Sequence, residues 1–159
     1  MKYVFGFLAA ILLPVVVHAG FEEGVAAYIR DDYDTAYREL LPLAQQGNAV
    51  AQLALGWMYR EGHGAPQDYK EAMKWYRLVA EQGEADAQFN LGVMYVKGRG
   101  VPQDYVQAHL WYTLAAAQGH ENAIKNRDII ANKMSPAQLA QAQQLAREWT
   151  AKKAAVPQP

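Results

Sequence analysis

Residues 51–83, AQLALGWMYREGHGAPQDYKEAMKWYRLVAEQG, return as AQFNLGVMYVKGRGVPQDYVQAHLWYTLAAAQG at residues 87–119. The offset is 87 − 51 = 36 residues without a gap, and 19 of the 33 positions are identical. A unit this short cannot bury its own apolar face, so copies must stack, and a solenoid follows. Ala51, Leu55 and Tyr59, like Ala87, Leu91 and Tyr95, lie four apart and share one face of a helix. Gly56 and Gly92 sit beside those leucines. A glycine inside a helix costs about 1 kcal/mol against alanine, so its expected use is close approach of a neighbouring helix.

GHGAPQD at 62–68 and GRGVPQD at 98–104 break the helical pattern. Gly62 and Gly64, with Gly98 and Gly100, permit positive φ, and the proline stops helix continuation. Asp68 and Asp104 then read as N-caps, with Glu71 and Gln107 three residues on completing capping boxes. A second helix presents Ala72, Trp75, Tyr76 and Ala80, then Ala108, Trp111, Tyr112 and Ala116. Gly83 and Gly119 stand where a left-handed residue ends a helix. One period is therefore helix, loop, helix, tight turn.

The pattern A-x-x-x-L-G-x-x-Y, G-x-G-[AV]-P-Q-D-Y-x-x-A, W-Y-x-x-x-A-x-Q-G resembles the Sel-one-like repeat, a relative of the tetratricopeptide repeat. That resemblance implies an all-α fold, an α/α superhelical solenoid of about four helix hairpins, working as a protein-binding scaffold without chemistry of its own.

The bulk numbers narrow the classes. A chain of 159 residues is expected to form one domain with a buried core. Its net charge of −1 and lack of a basic run give no reason to expect nucleic acid. With no cysteine, disulfides, thiolate metal sites and cysteine nucleophiles are excluded. The chain is thereby set apart from disulfide-stapled members of the family it resembles.

In chain order, residues 1–19 read as a secretory signal. Lys2 opens it, an apolar run to Val17 follows, and Val17-His18-Ala19 places small residues before a cut at Gly20. The run is short for a membrane span, which needs about 20 residues, so the expected protein is exported, periplasmic or secreted, with no span after cleavage. Residues 21–47 read as a first, divergent unit, since Tyr28 to Tyr33 is 5 residues where Tyr59 to Tyr69 is 10. Units at about 48–83 and 84–119 follow, then a fourth at 120–151. In that last unit Ala123 keeps phase, but Arg127 replaces Leu55 and Leu91, and Asp128 replaces Gly56 and Gly92. Ser135-Pro136-Ala137-Gln138 supplies a cap for a helix over 136–151, with a stripe of Leu139, Ala142, Leu145, Ala146 and Trp149. Residues 152–159 are expected to be a disordered tail.

Candidate chemistry is sparse. The glycine loops lack the Lys-Ser/Thr of a phosphate-binding loop and follow no strand. His63, His109 and His120 have no i, i+4 pairing, so no metal or other cofactor is expected. Ser135 is the chain's single serine, and capping accounts for it.

What remains is a surface. In tetratricopeptide-like solenoids the first helix of each hairpin lines the inner face. Carried onto this chain, the resemblance implies a groove of Leu53, Trp57, Arg60 and Glu61, then Phe89, Val93, Val96 and Lys97, then Lys125, Ile129 and Asn132. Trp57 and Phe89 either anchor a partner or pack against the adjacent unit. The differing positions of the two copies include Leu53/Phe89, Trp57/Val93, Arg60/Val96 and Glu61/Lys97, and positions facing a partner need not repeat. The expected function is thus a protein-interaction scaffold in the cell envelope, binding an unidentified protein or peptide segment, with a monomer favoured. Two alternatives stand beside it. One is an enzyme or binder acting on cell-wall or β-lactam compounds, as attributed to some disulfide-rich relatives. The other is a structural spacer or oligomeriser.

Overall fold

A computed structural model describes residues 19–155. The secretory signal expected at 1–19 lies, but for its last residue, outside them, as do residues 156–159 of the expected tail. The described residues are all-α. The helices in order are α1 (residues 19–29), α2 (Tyr33–Gln45), α3 (Ala49–Glu61), α4 (Tyr69–Gln82), α5 (Ala85–Lys97), α6 (Tyr105–Ala116), α7 (Glu121–Ala131) and α8 (Pro136–Ala154). They repeat as hairpins, the α/α solenoid arrangement. Two compact units are resolved, one ending at Trp75 and one beginning at Tyr76.

In the first unit α1 and α2 are joined by three residues, so the initial hairpin is the tight one. Asp32 caps α2 through the amide of Thr35, and Asn48 caps α3 through that of Ala51. Ala27, Ala36, Leu40, Leu43, Ala44, Ala51, Leu55 and Met58 form the core, with Tyr59 and Trp75 packed against it. The Tyr37 and Tyr59 hydroxyls meet at 2.7 Å.

The loop after α3 shows what Pro-Gln-Asp does. The Gln67 side-chain amide donates to the Arg60 carbonyl at 2.9 Å, and Gln103 does the same to Val96 at 2.7 Å. Each glutamine satisfies a carbonyl left open at a helix end. Asp68 accepts from the amides of Lys70 and Glu71, and Asp104 from those of Val106 and Gln107. The expected capping boxes are corrected here, because only one arm forms. The Asp68 and Asp104 amides donate instead to the carbonyls of Tyr59 and Tyr95. Glu71 turns outward to pair with Lys74. The loop's own backbone bond thus replaces the second arm.

In the second unit α6 is central, flanked by α5, α7 and α8. Ala108, Tyr112, Ala115, Ala123 and Ile130 make its core; Ala87, Leu91, Ala80 and Tyr76 are also buried. Gly92 admits the Tyr112 ring, where a Cβ would lie 2.5 Å from ring atom Cδ1. The turn glycines Gly47, Gly83 and Gly119 have φ of 94°, 109° and 85°, a left-handed conformation that side chains disfavour. Gln88, buried, donates to the Ala80 carbonyl at 3.2 Å and accepts from Gln118 at 2.9 Å.

Ser135 and Gln138 form a reciprocal capping box at α8, with Pro136 in the first turn, as expected. The end of α8 differs from expectation. It continues to Ala154, so Lys152–Lys153–Ala154 are helical rather than tail. Two lysines in the last turn complement the helix dipole. The Lys153 ammonium also donates to the Gln82 carbonyl at 2.5 Å, which ties the helix end down. Ala142 and Ala146 are buried, and Trp149 meets Trp111 edge-on at 4.9 Å.

His109 on α6 is 4% exposed, with Nδ1 3.3 Å from the Thr113 hydroxyl. Burial pushes its pKa below 6.5, the nearby Arg127 charge adds to this, and Asp128 opposes it. The unfolded chain takes up a proton near pH 6.5 that folded His109 resists, so stability is full above that pH and falls as pH drops below it. Met73 holds this register one repeat earlier and is buried. His109→Met should therefore flatten the acid limb of a stability-versus-pH curve measured by urea unfolding. An unchanged acid limb would place the proton uptake elsewhere.

Candidate partner-binding site

The predicted surface residues fall in both units. On α3, Leu53, Trp57 and Arg60 are half-buried and Glu61 is exposed. The Trp57 ring meets Tyr28 at 5.3 Å, Tyr33 at 5.4 Å and His63 at 5.0 Å. It belongs to the packing of its own unit. Arg60 and Glu61 pair side by side, Nε to Oε1 at 2.6 Å, so their charges cancel locally.

On α5 and α7 the arrangement differs. Val93, Val96, Lys97 and Ile129 line one cleft of about 260 Å³, together with Tyr112, Asn126, Ile130 and Lys133. Val93 stands at the register of Trp57, and the smaller side chain leaves room there. Ile129 is 55% exposed although apolar. Asn126 donates to the Tyr112 hydroxyl at 3.4 Å. Burial raises the Tyr112 pKa, so that hydroxyl is neutral and available as a donor. Lys125 on α7 and Asn132, its C-cap, are exposed but do not line the cleft.

Phe89 lies half-buried, stacked on His120 at 4.5 Å and tilted against Tyr112 at 5.8 Å. Both Trp57 and Phe89 make ring contacts within the chain, and both remain half-buried. His120 also caps α7, Nδ1 accepting from the Ala123 amide at 3.1 Å, while Nε2 faces Asp86 at 3.3 Å.

Sequence reasoning missed four lining residues. Lys133 was within reach, because 133 − 97 = 36 puts it at the register of Lys97. Tyr112 was assigned to stacking alone, and it serves both. Ile130 and Asn126 sit one position beside expected residues, a distinction that helix rotation decides. A wider groove of about 540 Å³ runs between α6 and α8, walled by Leu114, Ala146 and Ala151 among others. Among the described residues no three His, Cys, Asp or Glu side chains gather as a metal would need, and the whole chain has no cysteine. No catalytic constellation is present among them.

No curated protein matches the sequence. The Sel1 repeat family matches at residues 49–84 and 85–120. A protective antigen of uropathogenic Escherichia coli displaying an SLR fold superposes with a TM-score of 0.78 at 29% identity, covering 90% of this chain and 33% of its own. A Sel1 repeat protein from Oxalobacter formigenes superposes at 0.65 with 33% identity, covering 79% of this chain and 54% of its own. The chain thus spans a third to about half the length of these two relatives. Residues 49–120 carry two consecutive Sel1 repeats, matched in sequence and folded as the helix pairs α3–α4 and α5–α6.

Proposed function

We propose that this protein is a non-catalytic interaction scaffold of the cell envelope, and that it holds a segment of another protein in the α5–α7 cleft. One observation carries the reading. The repeating pairs Ala51/Ala87, Leu55/Leu91, Ala72/Ala108 and Tyr76/Tyr112 are buried, whereas Val93, Val96 and Lys97, which differ from their counterparts, converge on an open apolar cleft beside exposed Ile129. Apolar side chains left in water beside polar groups are what an interface uses. Export rests on the charged, apolar and small-residue order of residues 1–19.

Site-specific photo-crosslinking in the native host tests this. A crosslinker at position 129 should capture one protein that a crosslinker at exposed Gln144 on α8 does not, and the chain that carries the crosslinker should begin at Gly20. Equal capture from both positions would remove the cleft as the binding site. A cytoplasmic chain beginning at Met1 would remove the envelope assignment.

A further inference from the structure

We infer that the α5–α7 cleft selects a peptide segment in which an aliphatic side chain is flanked by carboxylates; this rests on the proposed reading of the cleft as a binding site. The floor is Val93, Val96, Ile129 and Ile130, and about 260 Å³ holds a single side chain rather than a domain. The charged residues lining it are both lysines, Lys97 and Lys133. Both are exposed, and neither side chain has a hydrogen-bond or ion-pair partner among the described residues. The nearest carboxylate along α7, Asp128, is taken by Arg127 at 2.9 Å.

The cleft therefore carries two positive charges and no negative one. Opposed charges at a rim steer association and reject wrong partners. The Tyr112 hydroxyl and the Asn126 carbonyl oxygen offer one donor and one acceptor for a backbone amide. The same register in the first unit holds Glu61, paired with Arg60, so the preference is local to the second unit. Two lysines over an apolar floor do not make a nucleic-acid track, which needs a basic stripe with stacking platforms.

The test uses fluorescence anisotropy on the full exported chain. The probes are labelled synthetic peptides with one central leucine flanked on both sides by glutamate, glutamine or lysine. The glutamate peptide should bind at least about tenfold more tightly than the lysine peptide, and added salt should narrow the gap. Lys97→Glu with Lys133→Glu should invert that order, and replacing the leucine with alanine should abolish binding. These lysines are exposed, so circular dichroism should show an unchanged fold.

Three peptides binding alike, with binding lost in Ile129→Asp, would overturn the acidic preference and leave the cleft as a binding site. Absence of binding by every peptide overturns the inference. If position 129 also captures nothing in cells, the proposed function falls with it.

Discussion

Trp111→Ala is expected to destabilise the second unit by about 3–5 kcal/mol, the cost of emptying a buried aromatic site. Trp111 is 1% exposed. Its ring meets Trp149 of α8 at 4.9 Å, and the Arg77 guanidinium lies 6.0 Å from its centroid. Arg77 is itself bonded to the Tyr95 hydroxyl at 2.8 Å, so one indole links α4, α6, α8 and the end of α5. The indole nitrogen is buried with no hydrogen-bond partner among the described residues, so its contribution is packing rather than bonding. Trp111→Phe should therefore retain most of the stability. A whole domain is stable by only about 5–15 kcal/mol, so the alanine variant should be near the edge of folding at 37 °C. Urea unfolding of the three proteins measures this. A loss below about 1 kcal/mol for Trp111→Ala would mean that the core closes over the gap, against the usual range.

Gly92→Ala should cost about 1–3 kcal/mol despite improving helix propensity. In an isolated helix the change would stabilise by about 1 kcal/mol. Here the new methyl would overlap the Tyr112 ring, which is 2% exposed, tilted against Phe89 at 5.8 Å and bonded through its hydroxyl to Asn126. The α5–α6 pair must then separate, and the cleft beside it must deform. A double-mutant cycle with Tyr112→Ala isolates the cause. The pair should be less destabilising than the sum of the singles by about 1 kcal/mol or more, as contacting residues do when they couple. Additive effects would deny that the missing side chain exists for that ring.

Much of the fold was legible because the repeat is a physical statement. A hairpin that cannot bury Leu55 or Leu91 alone needs a neighbour, and the neighbour reads out as an identical period. Turn glycines, the Asp68 and Asp104 caps, and the Ser135–Gln138 box each depend on residues three or four apart, a range where local geometry decides. The second arm of the two loop capping boxes was not legible. Whether Asp68 and Asp104 offer their amides to a side chain or to a carbonyl nine residues back depends on how the loop closes. The extent of α8 was equally hidden, since Lys153 is held by the Gln82 carbonyl, 71 residues away in sequence.

For the candidate site, the sequence alone determined the helices, their phase and the positions that escape repetition. It named Val93, Val96, Lys97 and Ile129, which line the cleft, but it also named Trp57 and Phe89, whose rings are engaged by neighbouring aromatic side chains. Tertiary structure decided between them. Only packing tells which side of a half-apolar helix meets another element, because a rotation of one residue, about 100°, moves a side chain from floor to rim without changing the pattern that predicts the helix.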